Sequence, residues 1–217
     1  MFRDVKGSQI VFSLTLSVDT PDVEDGDELV VGLHLVNTYD EAVITPPDPT
    51  GWAETWELAV QDSTGAPEHG GYVYRTKVTD ASSAPATLDF TTDSSFITNL
   101  CAASYSDLGD LEDVSSQGDF SFAFEAPSVD AVNDDSTLIV VLGGGGDTTP
   151  DTPSGMTLRD DGVENECTIW DETVDTGATG TRGASISGGQ WVAFALVYSP
   201  AGGAVVQPDS LFFGSTA

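Results

Sequence analysis

The chain predicts an all-β protein, specifically a jelly-roll-like antiparallel β-sandwich built from an internal pseudo-repeat. Two observations lead there. Apolar runs, alternating or continuous, recur between turn residues along the whole sequence, while the i, i+4, i+7 spacing of an amphipathic helix is nearly absent. In addition, residues 25–52 (DGDELVVGLHLVNTYDEAVITPPDPTGW) are answered by residues 134–156 (DDSTLIVVLGGGGDTTPDTPSGM), each passing from an acidic turn through an apolar β-run to a proline-rich corner.

The elements follow in order. Gln9–Val18 is an alternating strand whose end, LTLSVD at Leu14–Asp19, rhymes with FEAPSVD at Phe124–Asp130. Glu28–Asn37 and its counterpart Thr137–Leu142 are continuously apolar at their centres, the pattern of central strands buried on both faces. Glu54–Val60 leaves the first proline corner, and Thr157–Asp160 leaves the second. GYVYRTKV at Gly71–Val78 aligns with CTIWDETV at Cys167–Val174, overlapping the expected strand Glu166–Thr173, and pairs Tyr74 with Trp170. Ala86–Thr91, Ile97–Tyr105, Phe120–Phe124, Thr181–Ser187 and Gln190–Tyr198 complete a dozen strands, and each half closes on Tyr-Ser. The repeats are placed at residues 9–107 and 118–199 of one domain spanning 9–200. An N-terminal arm (1–8) precedes it and a C-terminal extension (201–217) follows. The joint at Asp107–Gly118 is short and acidic and lacks the Pro/Gly character of a free linker.

Charge narrows the setting. Thirty-six acidic residues against six basic ones give a formal net charge of −30 in 217 residues. Such density repels itself in ordinary cytoplasm, but at molar salt the Debye length falls to about 3 Å and the repulsion is screened. The acids are scattered between apolar strands rather than pooled in a tail, so a folded, acid-coated halophilic protein is expected rather than a disordered one. Binding to nucleic-acid phosphates is excluded on the same ground. The N-terminal MFRDVKGSQ carries charge where a signal peptide needs an apolar stretch, and no run approaches a membrane span. The product is expected to stay where it is made. Cys101 and Cys167 fall at non-equivalent places in the repeats, which favours free buried thiols, with one bridge between the halves as the alternative.

The wording of the repeat, "DGDELVV … ITPPDPTGW … VYRTKV … APATLDFT … AASYS" followed by "DDSTLIVV … TPSGM … GATGTRGASIS … QWVAFALVYSP", resembles a β-sandwich module of structural proteins of tailed viruses of bacteria and archaea. The resemblance covers residues 18–200. It implies a virion component: a capsid decoration or turret, or a tail-associated module. The acidic surface implies a haloarchaeal virus. The implied partners are copies of itself (a trimer, pentamer or hexamer) and other virion proteins. The alternative is an adhesion module that engages a host glycan or S-layer.

Candidate sites are few. Trp52 and Trp56 follow a proline corner and could stack sugars, although packed plugs at a sandwich end are the preferred reading. Trp170 and Trp191 lie mid-strand and read as core. Asp22, Glu24, Asp25, Asp27 and Glu28 carry oxygen ligands but lack calcium-loop spacing, so a solvated loop is preferred to a metal site. His34 and His69 are far apart in sequence and lack metal-ligand spacing. The run Gly143–Gly146 has no Lys-Ser/Thr after it and reads as a loop. No nucleophile elbow occurs, and no enzymatic activity, cofactor or metal is expected. Assembly residues are expected at the ends: Phe2, Arg3 and Lys6 in the arm, and Val205, Val206, Leu211, Phe212 and Phe213 in an extension suited to adding a strand to a neighbour.

Overall fold

A computed structural model describes residues 1–36, 43–64, 69–144, 150–159 and 167–202. The strands are β1 (Phe2–Asp19), β2 (Glu28–Val36), β3 (Ile44–Thr45), β4 (Glu57–Thr64), β5 (His69–Lys77), β6 (Thr87–Tyr105), β7 (Leu108–Ala126), β8 (Asp130–Ala131), β9 (Ser136–Gly144), β10 (Thr157–Arg159), β11 (Cys167–Val174), β12 (Gly177–Ala178) and β13 (Arg182–Pro200). One antiparallel sheet runs β1-β6-β2-β5-β4, with β3 added beside β6, and the other runs β7-β13-β9-β11-β10; β8 and β12 form a small ribbon. The all-β antiparallel sandwich is as expected. Jelly-roll connectivity is not confirmed, because each large sheet is drawn from one half of the chain and both follow the same strand order.

Register makes the equivalence residue-specific. Tyr105 lies opposite Glu28 and Phe2, as Tyr198 lies opposite Thr137 and Leu111. Tyr74 pairs with Val31 and Trp170 with Val140, matching the alignment made from sequence. The two proline corners are the same turn. Trp52 N–H donates to Pro49 O and Met156 N–H to Pro153 O, both at 3.2 Å, around glycines at φ 89° and 91°. Gly51 and Gly155 thus occupy the left-handed third position of a type II turn, and Trp52 and Met156 are delivered into the core.

Several expected boundaries shift. The arm and the first strand are one element, β1, whose first residues pair with the end of β6. The acidic joint is the first half of β7, so the repeats begin at Phe2-Arg3-Asp4-Val5 and Leu111-Glu112-Asp113-Val114 rather than at residues 9 and 118. The strand pairs read as separate on either side of residues 92–96 and 188–189 are single long strands, β6 and β13, with register irregularities. At matching bends Ser13 Oγ donates to Thr15 O, and Ser121 Oγ to Ala123 O. Beyond these bends the β1–β6 and β7–β13 ribbons curl over the outer faces of their own sheets.

Three apolar clusters result. The outer face of the first sheet buries Leu16, Trp52, Trp56, Tyr74 and Phe90, and the outer face of the second buries Phe124, Met156, Trp170 and Trp191. Between the sheets lie Val30, Val73, Tyr105, Ile139, Phe194 and Tyr198. Strand β2 is therefore buried on both faces along nearly its whole length, as its continuous apolar run predicts. Each such aliphatic side chain contributes about 1.5–3 kcal/mol of transfer free energy.

The sheets meet at very short range. A Cβ at Gly32 would stand 2.6 Å from Val141 Cγ1, one at Gly71 2.7 Å from the Phe194 ring, and one at Gly143 2.7 Å from His34 Cβ. Cys101 and Cys167 are disulfide-bonded beside Gly32, with their Cα atoms 5.5 Å apart. This corrects the expectation of free thiols, and the physical reason is symmetry. An approximate twofold relates the halves, so a residue near the axis faces a non-equivalent residue of the other half. Cys101 corresponds to Phe194 and Cys167 to Gly71, and the Phe194–Gly71 contact is the counterpart of the disulfide. The bridge spans 66 residues. Reduction, or replacement of both cysteines by alanine, is expected to lower unfolding stability by about 2–5 kcal/mol, checked by denaturant titration with and without reductant in molar KCl.

Candidate functional site

Arginine–carboxylate pairs sit where strands end. Arg3 Nε and Nη2 donate to Asp27 at 2.6 and 3.0 Å, and Arg3 Nη1 lies 3.1 Å from Glu24. Lys6 pairs with Asp4 at 3.0 Å. Arg75 bridges Glu28 and Glu57, Arg159 grips Asp171 through two bonds of 2.8 and 2.7 Å, and Arg182 holds Glu172. Five of the six basic residues are thus bound to carboxylates of their own chain. Phe2 packs edge-on against Tyr105 with centroids 5.7 Å apart, and the Arg159 guanidinium lies 4.2 Å above its ring. Phe2, Arg3 and Lys6 of the expected docking arm are thus half-exposed and paired within the chain itself. Of the acidic loop, Asp22, Glu24 and Asp25 are exposed as a solvated loop requires, Asp25 accepting the Ala81 N–H at 2.8 Å, whereas Asp27 and Glu28 are buried against arginines.

The expected sugar platform is not at the surface. Trp52 and Trp56 are 3% and 7% exposed, meet edge to face, and pack with Phe90; Trp52 Nε1 donates to Asp48 O. Trp170 and Trp191 are core, stacked on and packed against Phe124. Val205, Val206, Leu211, Phe212 and Phe213 lie outside the described residues, as do Gly145 and Gly146. Gly143 and Gly144 end β9.

Three features were not foreseen. Phe120 and Phe122 on β7 are 69% and 76% exposed, and the Phe122 ring lies over Gly188, whose Cβ would stand 2.4 Å from it. Leu14, two residues before buried Leu16 as Phe122 is before buried Phe124, is 54% exposed on the equivalent ribbon. A signal for this pair exists in the sequence, since SQIVFSL at Ser8–Leu14 is answered by SQGDFSF at Ser116–Phe122. Second, His34 Nε2 and His69 Nδ1 stand 2.9 Å apart. The register of β2 on β5 brings them together, opposing Val36 to His69 and His34 to Gly71, and the 35-residue separation concealed it.

Third, a polar cleft of about 260 Å³ opens beside β4, β5 and the start of β7, lined by Glu28, Glu54, Glu57, Arg75, Lys77 and Asp110. The fully buried phenol of Tyr198 stands beside Glu28 and Arg75. Tyr105 stands in the same relation to Asp171 and Arg159 in the other half. No group of three or more His, Cys, Asp or Glu among the described residues is placed to hold a metal ion, and no described helix is long and apolar enough to cross a membrane.

These features define an all-β sandwich of two like halves with five of its six basic groups paired to its own carboxylates and aromatic rings displayed on one ribbon. Set against known proteins, the chain matches no family model, no curated protein and no solved structure.

Burial first, and the charges of Asp171 and Glu28 next, hold Tyr105 and Tyr198 well above the usual phenol value; burial pushes Tyr74 up to about 12. Because the folded values lie above the unfolded one of about 10, the stability they contribute is complete below that pH and is lost as the pH rises further. In a titration followed at 295 nm, Tyr105 and Tyr198 are expected to stay protonated above the pH at which an exposed phenol ionises and to ionise only as the fold is lost. Ionisation of all five tyrosines near pH 10 with the fold intact would contradict their burial.

Proposed function

We propose that this chain is a non-enzymatic structural component of a virion, assembling with copies of itself and with other virion proteins on the capsid or tail of a tailed virus of a halophilic archaeon. The observation that carries the assembly reading is the exposed pair Phe120–Phe122. Two phenyl rings exposed two residues apart on an edge strand stay in water in an isolated chain, and a partner surface is what such a display fits. Resemblance of the repeat to tailed-virus sandwich modules supports the virion setting. A net charge of −30 with nearly all basic groups already paired supports the halophilic one. The disulfide also agrees with a particle that leaves the reducing cytoplasm after assembly. Adhesion to a host glycan rested on Trp52 and Trp56, which are buried, so no observation favours it.

Light scattering in molar KCl is expected to show a closed oligomer, a trimer, pentamer or hexamer, that dissociates on dialysis to low salt. Phe120→Ser with Phe122→Ser is expected to yield a monomer with an unchanged circular dichroism spectrum. A parent chain that stays monomeric at all concentrations would sink the assembly reading, and a double variant that assembles normally would move the contact off β7. Removal of residues 203–217, expected from sequence to add a strand to a neighbour, should abolish assembly while leaving the sandwich folded; a truncated chain that assembles like its parent would exclude that role.

A further inference from the structure

Runs of more than ten residues without Asp or Glu fall at 5–18, 29–39, 69–79, 94–106, 136–146 and 176–208. Five of the six carry β2, β5, the second half of β6, β9 and β13, and each of these strands has a hydrogen-bonded neighbour on both sides. In so acidic a chain, freedom from carboxylates goes with a covered strand. The sixth run is β1, which ends its sheet and pairs with β6 alone among the described strands. Its own core accounts for one face of the run. Leu16 and Val18 are buried in the outer cluster of the first sheet, whereas Leu14 and Thr15 are exposed and yet neutral. The other long outer strand, β7, has a single carboxylate, Asp119, between Val114 and Phe124, and shows Phe120 and Phe122 to water. By contrast the edge strand β4 keeps Glu57 and Asp62, as a solvated edge of this protein does.

We propose, resting on the assembly reading of Phe120 and Phe122, that copies of this chain join head to tail through these two edges, β1 of one copy lying along β7 of the next. A strand that ends a sheet offers a row of backbone N–H and C=O groups to another chain, and strand addition satisfies them. A trimer, pentamer or hexamer ring needs two different patches that fit each other, because a patch that fits itself stops at a pair. The approximate twofold within the chain supplies two such edges, one on each sheet, with Leu14 on the first at the position of Phe122 on the second. Charge selects the unlike pairing. Lys6 is the one charged residue of 5–18, and Asp119 is the one charged residue of 114–124. Laying β7 along β7 brings Asp119 towards its own copy, and like charges across a ladder are unfavourable. Laying β1 along β7 brings opposite signs to one seam, in molecules that otherwise repel each other with a net charge of −30.

Two full-length variants, each with one edge disabled, test the contact. Phe120→Ser with Phe122→Ser disables β7. Leu14→Asp with Thr15→Asp disables β1, since a carboxylate trapped in the seam without a partner is costly. All four side chains are exposed, so both folds should survive, as circular dichroism checks. In molar KCl each variant alone is expected to scatter light as a monomer. An equimolar mixture is expected to give one species of twice that mass, because the intact β1 of the first variant meets the intact β7 of the second and no further edge is left to continue the ring. A mixture that stays monomeric would overturn the contact, and so would a β1 variant that pairs with itself or assembles like its parent. A monomeric parent would remove the assembly reading and this contact together, whereas an oligomeric parent with an unpaired mixture removes this contact alone.

Discussion

Everything in the molecule depends on two sheets approaching until Gly32 lies against the Val141 side chain. At that separation β2 and β9 are buried on both faces, and the gap admits a side chain from one sheet only where the other offers little or nothing. The glycines of the central strands are therefore there for space and not for backbone freedom, since Gly32, Gly71 and Gly143 all have ordinary extended backbones. A Cβ at any of them would meet carbon nearer than real contacts allow, which forces off-rotamer side chains or a backbone shift. The same closeness brings two cysteine Cα atoms to 5.5 Å and two imidazoles into contact.

Charge is organised around this close approach. A chain with six basic residues cannot neutralise its surface, and it spends its arginines on carboxylates that packing has partly desolvated: Asp27, Glu28, Asp171 and Glu172. A buried carboxylate without a partner is costly, whereas an exposed one in brine is nearly free. Burial pushes the Glu28 carboxyl upward and Arg75 opposes it, which keeps a charge tolerable at the edge of the inter-sheet core. The scattered surface acids need no such help.

What the sequence revealed of the fold was whatever is local or repeated. The continuous apolar runs located β2 and β9, the corners TPPDPTGW and TPDTPSGM proved to be one turn used twice, and Tyr74 and Trp170 hold matching core positions. What it hid was whatever depends on which strand faces which. Residues 108–118 read as a joint because an edge strand can carry acids at outward positions, which breaks the apolar pattern while the ladder to β13 runs on through two register irregularities. Residues 92–96 and 188–189 read as breaks because a bulge interrupts alternation without ending a strand. Sites suffered more. Trp52 and Trp56 look like a platform on a corner until the turn is seen to point inwards, and His34 and His69 are brought together by a register that no linear spacing encodes. Phe120 and Phe122 could have been found, since only the SQxxFS echo was overlooked.

Two like halves raise the question of why each pairs with the other and not with its own kind. The residues along the approximate twofold answer it by size. Where the first half has Gly32 the second has Val141, where the first has Gly71 the second presses Phe194, and where the second has Gly143 the first presses His34. Two first halves would set Gly32 against Gly32 and Cys101 against Gly71, leaving voids whose cost grows with their volume. Two second halves would drive Val141 into Val141 and Phe194 into Cys167, an overpacking that the close approach cannot absorb. Only the mixed pairing fills the gap once, and only it brings a thiol to a thiol. The disulfide therefore sits where the two halves differ in side-chain volume, and it locks the one arrangement that their unequal sizes already select.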